Sequence, residues 1–148
     1  MTSYAQIEQQ LTILLRRSQS IHVSTVVGEV DLDRSSYGIL CRLADEGPQR
    51  LGSLAQAFGL DPSTITRQVQ ALEQTGLVHR NTDPSDRRAA LLDLTDEGRR
   101  VQSGIREHRR GRLQAIIADW SEHDAAEFGR LLQKFNDVAT SLAERTTN

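Results

Sequence analysis

The sequence predicts a mainly α-helical protein with one small β-hairpin. Through most of its 148 residues, apolar side chains recur at spacings of three and four, the period of an amphipathic helix. The period changes only after Gly76, where "LVHRN" and "AALLDL" read as two short strands joined by the turn-forming "TDPSD". Residues that start and stop helices divide the rest into six helices.

Ile7, Leu11, Leu14, Leu15, Ser18 and Ile21 make the stripe of a first helix that fades near Gly28. Asp33 can cap a second, because its side-chain oxygen can accept an unpaired N–H of the first turn. Tyr37, Leu40 and either Leu43 or Ala44 form the inner face of that helix, and "EGP" at 46–48 stops it. A short third helix carries Leu51, Leu54, Ala55 and Phe58 on one side and ends at Gly59. The fourth opens with Asp61 as cap and Pro62 at the first helical position, where a missing N–H costs nothing, and runs to about Thr75. After the hairpin, Thr95 caps a long fifth helix striped by Val101, Ile105, His108, Leu113, Ile116, Ile117 and Trp120. Ser121 and Asp124 form a capping box for a sixth, striped by Phe128, Leu131, Leu132, Phe135, Val138 and Leu142.

The short helices and the hairpin, residues 33–95, are compact enough for one lobe. Residues 1–32 and 96–148 form a second, helical region with long apolar stripes. Three amphipathic helices from one chain make a thin core, so they are expected to pack against the same helices of a second copy in a two-fold homodimer. The alternative is a monomer that folds its ends over the central lobe.

Composition excludes several classes. No apolar run approaches the roughly 18 residues needed to cross a bilayer, and Met1 to Gln10 lacks the basic and apolar regions of a signal peptide. A cytoplasmic protein without membrane contact is expected. Cys41 is the only cysteine and His22, His79, His108 and His123 are scattered, so no disulfide within the chain, metal site or cofactor is expected. There is no glycine-rich phosphate loop or nucleophile motif, and "SEHDAAE" reads as a helix start, so an enzyme is not expected. A net charge of −2 argues against a protein that coats nucleic acid indiscriminately, yet leaves room for a local basic surface.

The fourth helix is the most informative segment. At about 100° per residue, Ile65, Val69 and Leu72 share a narrow inner stripe, while Ser63, Arg67, Gln70 and Gln74 face the other way with Thr64 and Thr66 on the flanks. Such a face suits a DNA major groove. Arginine can donate two hydrogen bonds to guanine, glutamine can pair with adenine, and a threonine methyl can pack on thymine. The short helix and tight turn before it, "FGLDPS", complete a helix-turn-helix arrangement that projects this helix outward.

"LGSLAQAFGLDPSTITRQVQALEQTGLVHR" followed by "DPSDRRAALLDLTDEG" resembles the MarR-type family of bacterial winged helix-turn-helix regulators, over about Leu32 to Gly98 with matching helices at both ends. The most specific element is Asp86-x-Arg88 followed by Leu92-x-Leu94-Thr95-x-x-Gly98. The resemblance implies a homodimeric transcription regulator, usually a repressor, with two recognition helices in successive major grooves of a pseudo-palindromic double-stranded DNA site. It places Ser63, Thr64, Thr66, Arg67 and Gln70 on the recognition helix. Arg88 matches a wing-tip arginine oriented by Asp86, with Arg87 as a phosphate contact. A narrow minor groove concentrates negative potential and draws in arginine.

Residues 51–100 hold six arginines against seven acids, so binding must rest on placement, with Arg67, Arg80, Arg87 and Arg88 toward DNA and the acids at caps and rear faces. A winged-helix module that binds a protein is the competing reading; a polar, arginine-tipped surface argues against it.

Members of such a family are often released from DNA by small aromatic or phenolic effectors. His22, Tyr37, Arg42, His108 and Trp120 are the polar-aromatic residues expected near the helix junctions, where each also has a packing role open to it. The oxidant-sensing branch would call for a cysteine near the first helix, where this chain offers Ser18 and Ser20, so Cys41 reads as a small buried hydrophobe.

Overall fold

The computed structural model describes residues 2–17 and 21–146. In chain order the elements are α1 (Ser3–Arg16), β1 (Ile21–Thr25), β2 (Gly28–Leu32), α2 (Arg34–Glu46), β3 (Gln49–Arg50), α3 (Leu51–Phe58), α4 (Pro62–Gln74), β4 (Val78–Asp83), β5 (Asp86–Leu94), α5 (Asp96–Ile116) and α6 (Glu122–Thr146). The mainly helical fold with its β-hairpin wing is as expected, and the caps are where the sequence puts them. Asp33 accepts the Ser36 N–H at 2.7 Å, Thr95 the Gly98 N–H at 3.0 Å, and Ser121 the Asp124 N–H at 3.0 Å.

Residues 21–32 depart from the expected first helix. That helix ends at Arg16, and Ile21, placed on its stripe by periodicity, starts a strand instead; Ser18 and Ser20 lie outside the described residues. The region 1–32 is therefore helix followed by an antiparallel hairpin, with Ile21 opposite Leu32 and Thr25 opposite Gly28. The local chemistry explains it. Ile21, Val23 and Thr25 are β-branched and alternate, which costs side-chain freedom in a helix and suits a pleated strand. Gly28, at φ 125°, adopts a backbone conformation that other residues rarely reach, directly after the two-residue turn. Cross-strand bonds from Ser24 to Glu29 at 2.6 Å and between His22 and Asp31 at 2.7 Å complete the ladder. Ile21, Val23 and Val30 pack against the main core.

The wing also gains a strand. Gln49 and Arg50 pair with Leu92 and Leu91, giving a three-stranded sheet in the order β3-β5-β4. Two residues are too short to show a period.

One core holds the centre of the chain. Ile39, Leu40 and Leu43 of α2, Leu54 of α3, Ile65, Val69 and Leu72 of α4, Leu92 and Leu94 of β5, and Val101 and Ile105 of α5 are buried together. Ala44, the alternative to Leu43, is exposed. Arg106 clamps the carboxylate of Asp45 at 2.9 and 3.0 Å, tying α5 to α2. The stripes on α1 and α6 are left open: neither helix has a buried residue. Leu113 and Ile116 at the end of α5, with Phe128, Leu131, Phe135, Val138 and Leu142 of α6, remain largely exposed. Among the described residues no helix is long and apolar enough to cross a membrane.

Gly98, in the first turn of α5, sits against the end of the wing. A Cβ there would lie 1.9 Å from the Leu77 carbonyl oxygen and 3.2 Å from Leu94 Cδ2. Backbone cannot yield as a side-chain tip does, so α5 would have to shift. Gly98→Ala is expected to destabilise the fold by about 1–3 kcal/mol, the usual range for overpacking, in urea unfolding monitored by helical ellipticity; an unchanged midpoint would show that this approach is not required.

Candidate nucleic-acid interface

The interface starts at the turn between α3 and α4. Gly59 takes the left-handed conformation at φ 60°, and Leu60 N–H returns to the Ala55 carbonyl at 3.1 Å, which ends α3 sharply. Asp61 then caps α4 by accepting the Thr64 N–H at 2.9 Å, with Pro62 at the first helical position. The Ser63 and Thr64 hydroxyls donate to the same carboxylate. These bonds favour the charged form and hold Asp61 well below the usual carboxylate range, at about 2, with the Ser63 hydroxyl the largest cause.

On α4, Ile65, Val69 and Leu72 are buried while Ser63, Arg67 and Gln70 are exposed, as the helical wheel predicts. The structure adds that Ser63 and Thr64 point their hydroxyl protons at Asp61, and that Thr66 donates to the Pro62 carbonyl at 2.7 Å. Their outward capacity is therefore acceptor oxygen and methyl. Arg67, whose guanidinium makes one long 3.4 Å bond to Thr64, and Gln70 supply the donors.

The wing tip is built on an irregular ladder. Thr82 pairs with Ala90 and Asp83 with Asp86, so Arg87, Arg88 and Ala89 have no partners on β4 and bulge from β5. Asp86 accepts the backbone N–H of Arg88 at 3.0 Å. Asp86, expected to orient Arg88, thus bonds its backbone N–H, and no carboxylate of the described residues lies within ion-pairing distance of the Arg88 guanidinium. At the base of the bulge, Asp83 is 5% exposed and accepts from Ser85 N–H at 2.9 Å, Ser85 Oγ at 2.7 Å and Arg50 Nε at 2.8 Å. With the Ser85 hydroxyl first among the causes, its carboxyl is also held at about 2.

Charge placement separates the six arginines of residues 51–100. Arg80 bonds Glu73 at 2.9 Å, Arg99 reaches Asp93 at 3.4 Å and Arg100 reaches Glu97 at 2.7 Å. Arg80, expected toward DNA, is thus tied by Glu73 into a strut between β4 and the end of α4. Among the described residues, Arg67, Arg87 and Arg88 have no carboxylate within ion-pairing distance. A chain with more acids than bases over this stretch still presents its unneutralised cations on the recognition-type helix and the wing.

The residues weighed for effector contact do not all come together. His22 and His108 line one cavity of about 370 Å³ between β1 and α5, with Ile21, Val23, Arg100, Val101 and Ile105 among the walls. His22 is held by Asp31 and by Glu29 at 2.9 Å, and the Asp31 hydrogen bond is the main reason its pKa rises. Tyr37 is buried elsewhere under Arg109, whose guanidinium carbon lies 4.3 Å from the ring centre. Arg42 pairs with Glu46 on its own helix at 3.0 Å, and Trp120 meets Phe128 edge-on, ring centres 5.5 Å apart, at the turn into α6. Cys41 is half-buried with Gln102 Nε2 3.6 Å from its sulfur. Sequence reading missed Arg50, because its partner is 33 residues away and no local pattern links them.

A short helix, a tight turn, an outward-facing polar helix and an arginine-tipped hairpin define a winged helix-turn-helix protein. A profile of the MarR family matches residues 32–90. YxaD, an HTH-type transcriptional regulator of Bacillus subtilis, is 38% identical over 130 residues, 88% of this chain and 90% of its own. NicR, an HTH-type transcriptional repressor of Pseudomonas putida, is 30% identical over 95 residues, 62% of this chain and 60% of its own. The crystal structure of MarR superposes with a TM-score of 0.67 at 22% identity, covering 78% of each chain, which supports the fold. The chain belongs to the MarR family. It is an HTH-type transcriptional regulator, not an enzyme, and DNA binding is implied by that membership.

The Asp61 cap gives a pH test. Because its folded pKa lies below the unfolded value of about 3.9, its stabilisation is complete above that value and is lost as pH falls through about 2. Asp61→Ala is expected to lower the denaturation midpoint by a constant amount from pH 7 to about pH 5, with the gap from the parent closing below about pH 4. A gap that persists at pH 2 would mean the carboxylate is not the source.

Proposed function

We propose that the chain is a sequence-specific repressor that binds double-stranded DNA as a two-fold homodimer. Residues 33–95 are the DNA-binding lobe, and 1–32 with 96–148 the dimerisation region. The observation that carries the reading is that Arg67, Arg87 and Arg88, the arginines of this stretch without a carboxylate partner, fall on α4 and on the wing bulge. In this reading Arg67 and Gln70 read base edges in the major groove, with Ser63, Thr64 and Thr66 beside them as acceptors and methyl contacts. Arg88 enters the flanking minor groove and Arg87 meets a phosphate. The open stripes of α1, α5 and α6 support the dimer: as many large apolar side chains as these are seldom left to water on a monomer. Repression draws on NicR, a repressor by its name. The cavity holding His22 and His108 is within the size range of small-molecule sites and is where a small aromatic or phenolic effector would act to release DNA. The site of action is the cytoplasm.

The test is selection of bound sites from random DNA, followed by affinity measurement. Arg67→Ala is expected to weaken the selected site by about 1–3 kcal/mol and relax the preference at one base pair, whereas Arg87→Ala should weaken all sequences about equally and flatten the salt dependence. Sedimentation should give twice the chain mass for each variant. A monomer at micromolar concentration, or binding that ignores salt, would overturn the proposal.

A further inference from the structure

We propose that Arg50 is a positioning residue for the wing: by holding the Asp83 carboxylate at the base of the bulge, it fixes where Arg87 and Arg88 stand relative to α4. This rests on the DNA-binding reading above and adds a residue outside the residues proposed there to touch DNA.

Arg50 is the last residue of β3 and occupies the cap position of α3, yet its side chain makes no cap bond to that helix. It turns instead to the wing, where Nε and Nη2 both bond Asp83 Oδ2. The other carboxylate oxygen takes the Ser85 N–H and hydroxyl. One buried carboxylate thus joins the wing turn to the residue from which the helix-turn-helix starts.

That junction matters because little else holds the tip. Beyond the Thr82–Ala90 pair the ladder is interrupted for Arg87, Arg88 and Ala89 and resumes only with Asp83 opposite Asp86. The bond from Asp86 to the Arg88 N–H lies within the bulge and cannot orient it against the rest of the fold. The Arg50–Asp83 contact can, since β3 is continuous with α3 and α3 with the turn that aims α4. The pair is one-sided, with the Arg50 side chain 48% exposed and Asp83 7%: loss of the guanidinium leaves the buried carboxylate its Ser85 donors, whereas loss of the carboxylate gives up all of these bonds. Loss of the guanidinium should appear in DNA binding before it appears in melting.

The experiment uses the full chain and the site selected from random DNA, with Arg50→Gln, Asp83→Asn and Arg88→Ala singly and in pairs. Arg50→Gln and Asp83→Asn should each weaken binding about tenfold, and Arg88→Ala, costing about tenfold alone, should cost under about twofold in the Arg50→Gln background. Amide exchange at 84–89 should accelerate in both clamp variants, with the melting temperature held in Arg50→Gln and lowered in Asp83→Asn, which also gives up the charge that Ser85 stabilises. Should Arg50→Gln unfold, Arg50→Lys, which keeps the charge and loses the two-pronged contact, is read in the same cycle. Multiplicative losses, or unchanged exchange at 84–89, would overturn the proposal. So would tighter binding by Asp83→Asn, which would make Arg50 a phosphate contact that Asp83 restrains. If Arg88→Ala alone leaves affinity unchanged while Arg67→Ala lowers it, the DNA reading of the wing has failed; quickened exchange would then make Arg50 a clamp of the fold only.

Discussion

The geometry of this protein hangs on the point where α4, the wing and α5 meet. Thr95, between β5 and α5, donates its hydroxyl to the Gly76 carbonyl and its N–H to the Leu77 carbonyl at 3.1 Å, while its hydroxyl oxygen caps α5 by accepting from Gly98. Gly76 follows α4, Leu77 opens the wing, and Gly98 lets α5 approach the Leu77 backbone. One threonine therefore caps the first turn of α5, holds the carbonyl of the glycine that follows α4 and closes the wing sheet. The direction of the recognition-type helix is coupled at that point to the direction of the long helix that leaves the core.

Around that junction the electrostatics are a matter of arrangement. Asp61 spends its charge on hydroxyl and amide donors within the fold and Asp83 on these and the Arg50 guanidinium, while Glu73, Asp93 and Glu97 each neutralise an arginine. The three arginines left over are close to DNA-facing positions in the proposed reading, so a chain of net charge −2 needs no excess of base to attract a phosphate backbone locally.

The helices outside the core follow a different logic. Leu113 and Ile116 on α5 and the stripe from Phe128 to Leu142 on α6 repeat at helical spacing yet stay largely exposed, with Trp120 set edge-on against Phe128 at the turn between the two helices. The β1–β2 hairpin, by contrast, finds its partner within the chain. Ile21, Val23 and Val30 lie on the core, Glu97 accepts the Val26 N–H at 3.1 Å and Arg100 donates to the Ser24 carbonyl at 3.1 Å. The start of α5 is thereby braced on both sides.

Sequence alone determined the helices from Asp33 onward, their caps and stops, the wing strands and the face that α4 turns outward, because each depends on residues within one or two turns of each other. Asp61 with Pro62, Gly59 after Phe58 and Ser121 with Asp124 are local chemistry, legible in a line of letters. Tertiary structure decided the rest. Periodicity alone carried a helix through Ile21, where pairing with β2 and burial against the core made a strand. Asp86 is expected from sequence to orient Arg88, but that its carboxylate does so by accepting the Arg88 backbone N–H is visible only in the folded wing. Arg80 was drawn to Glu73, and Arg50 to Asp83 across 33 residues, by contacts that exist only once the wing has folded back beside the helix-turn-helix. Periodicity registers which side of an element is apolar; which cation finds which anion depends on distances that only the folded chain creates.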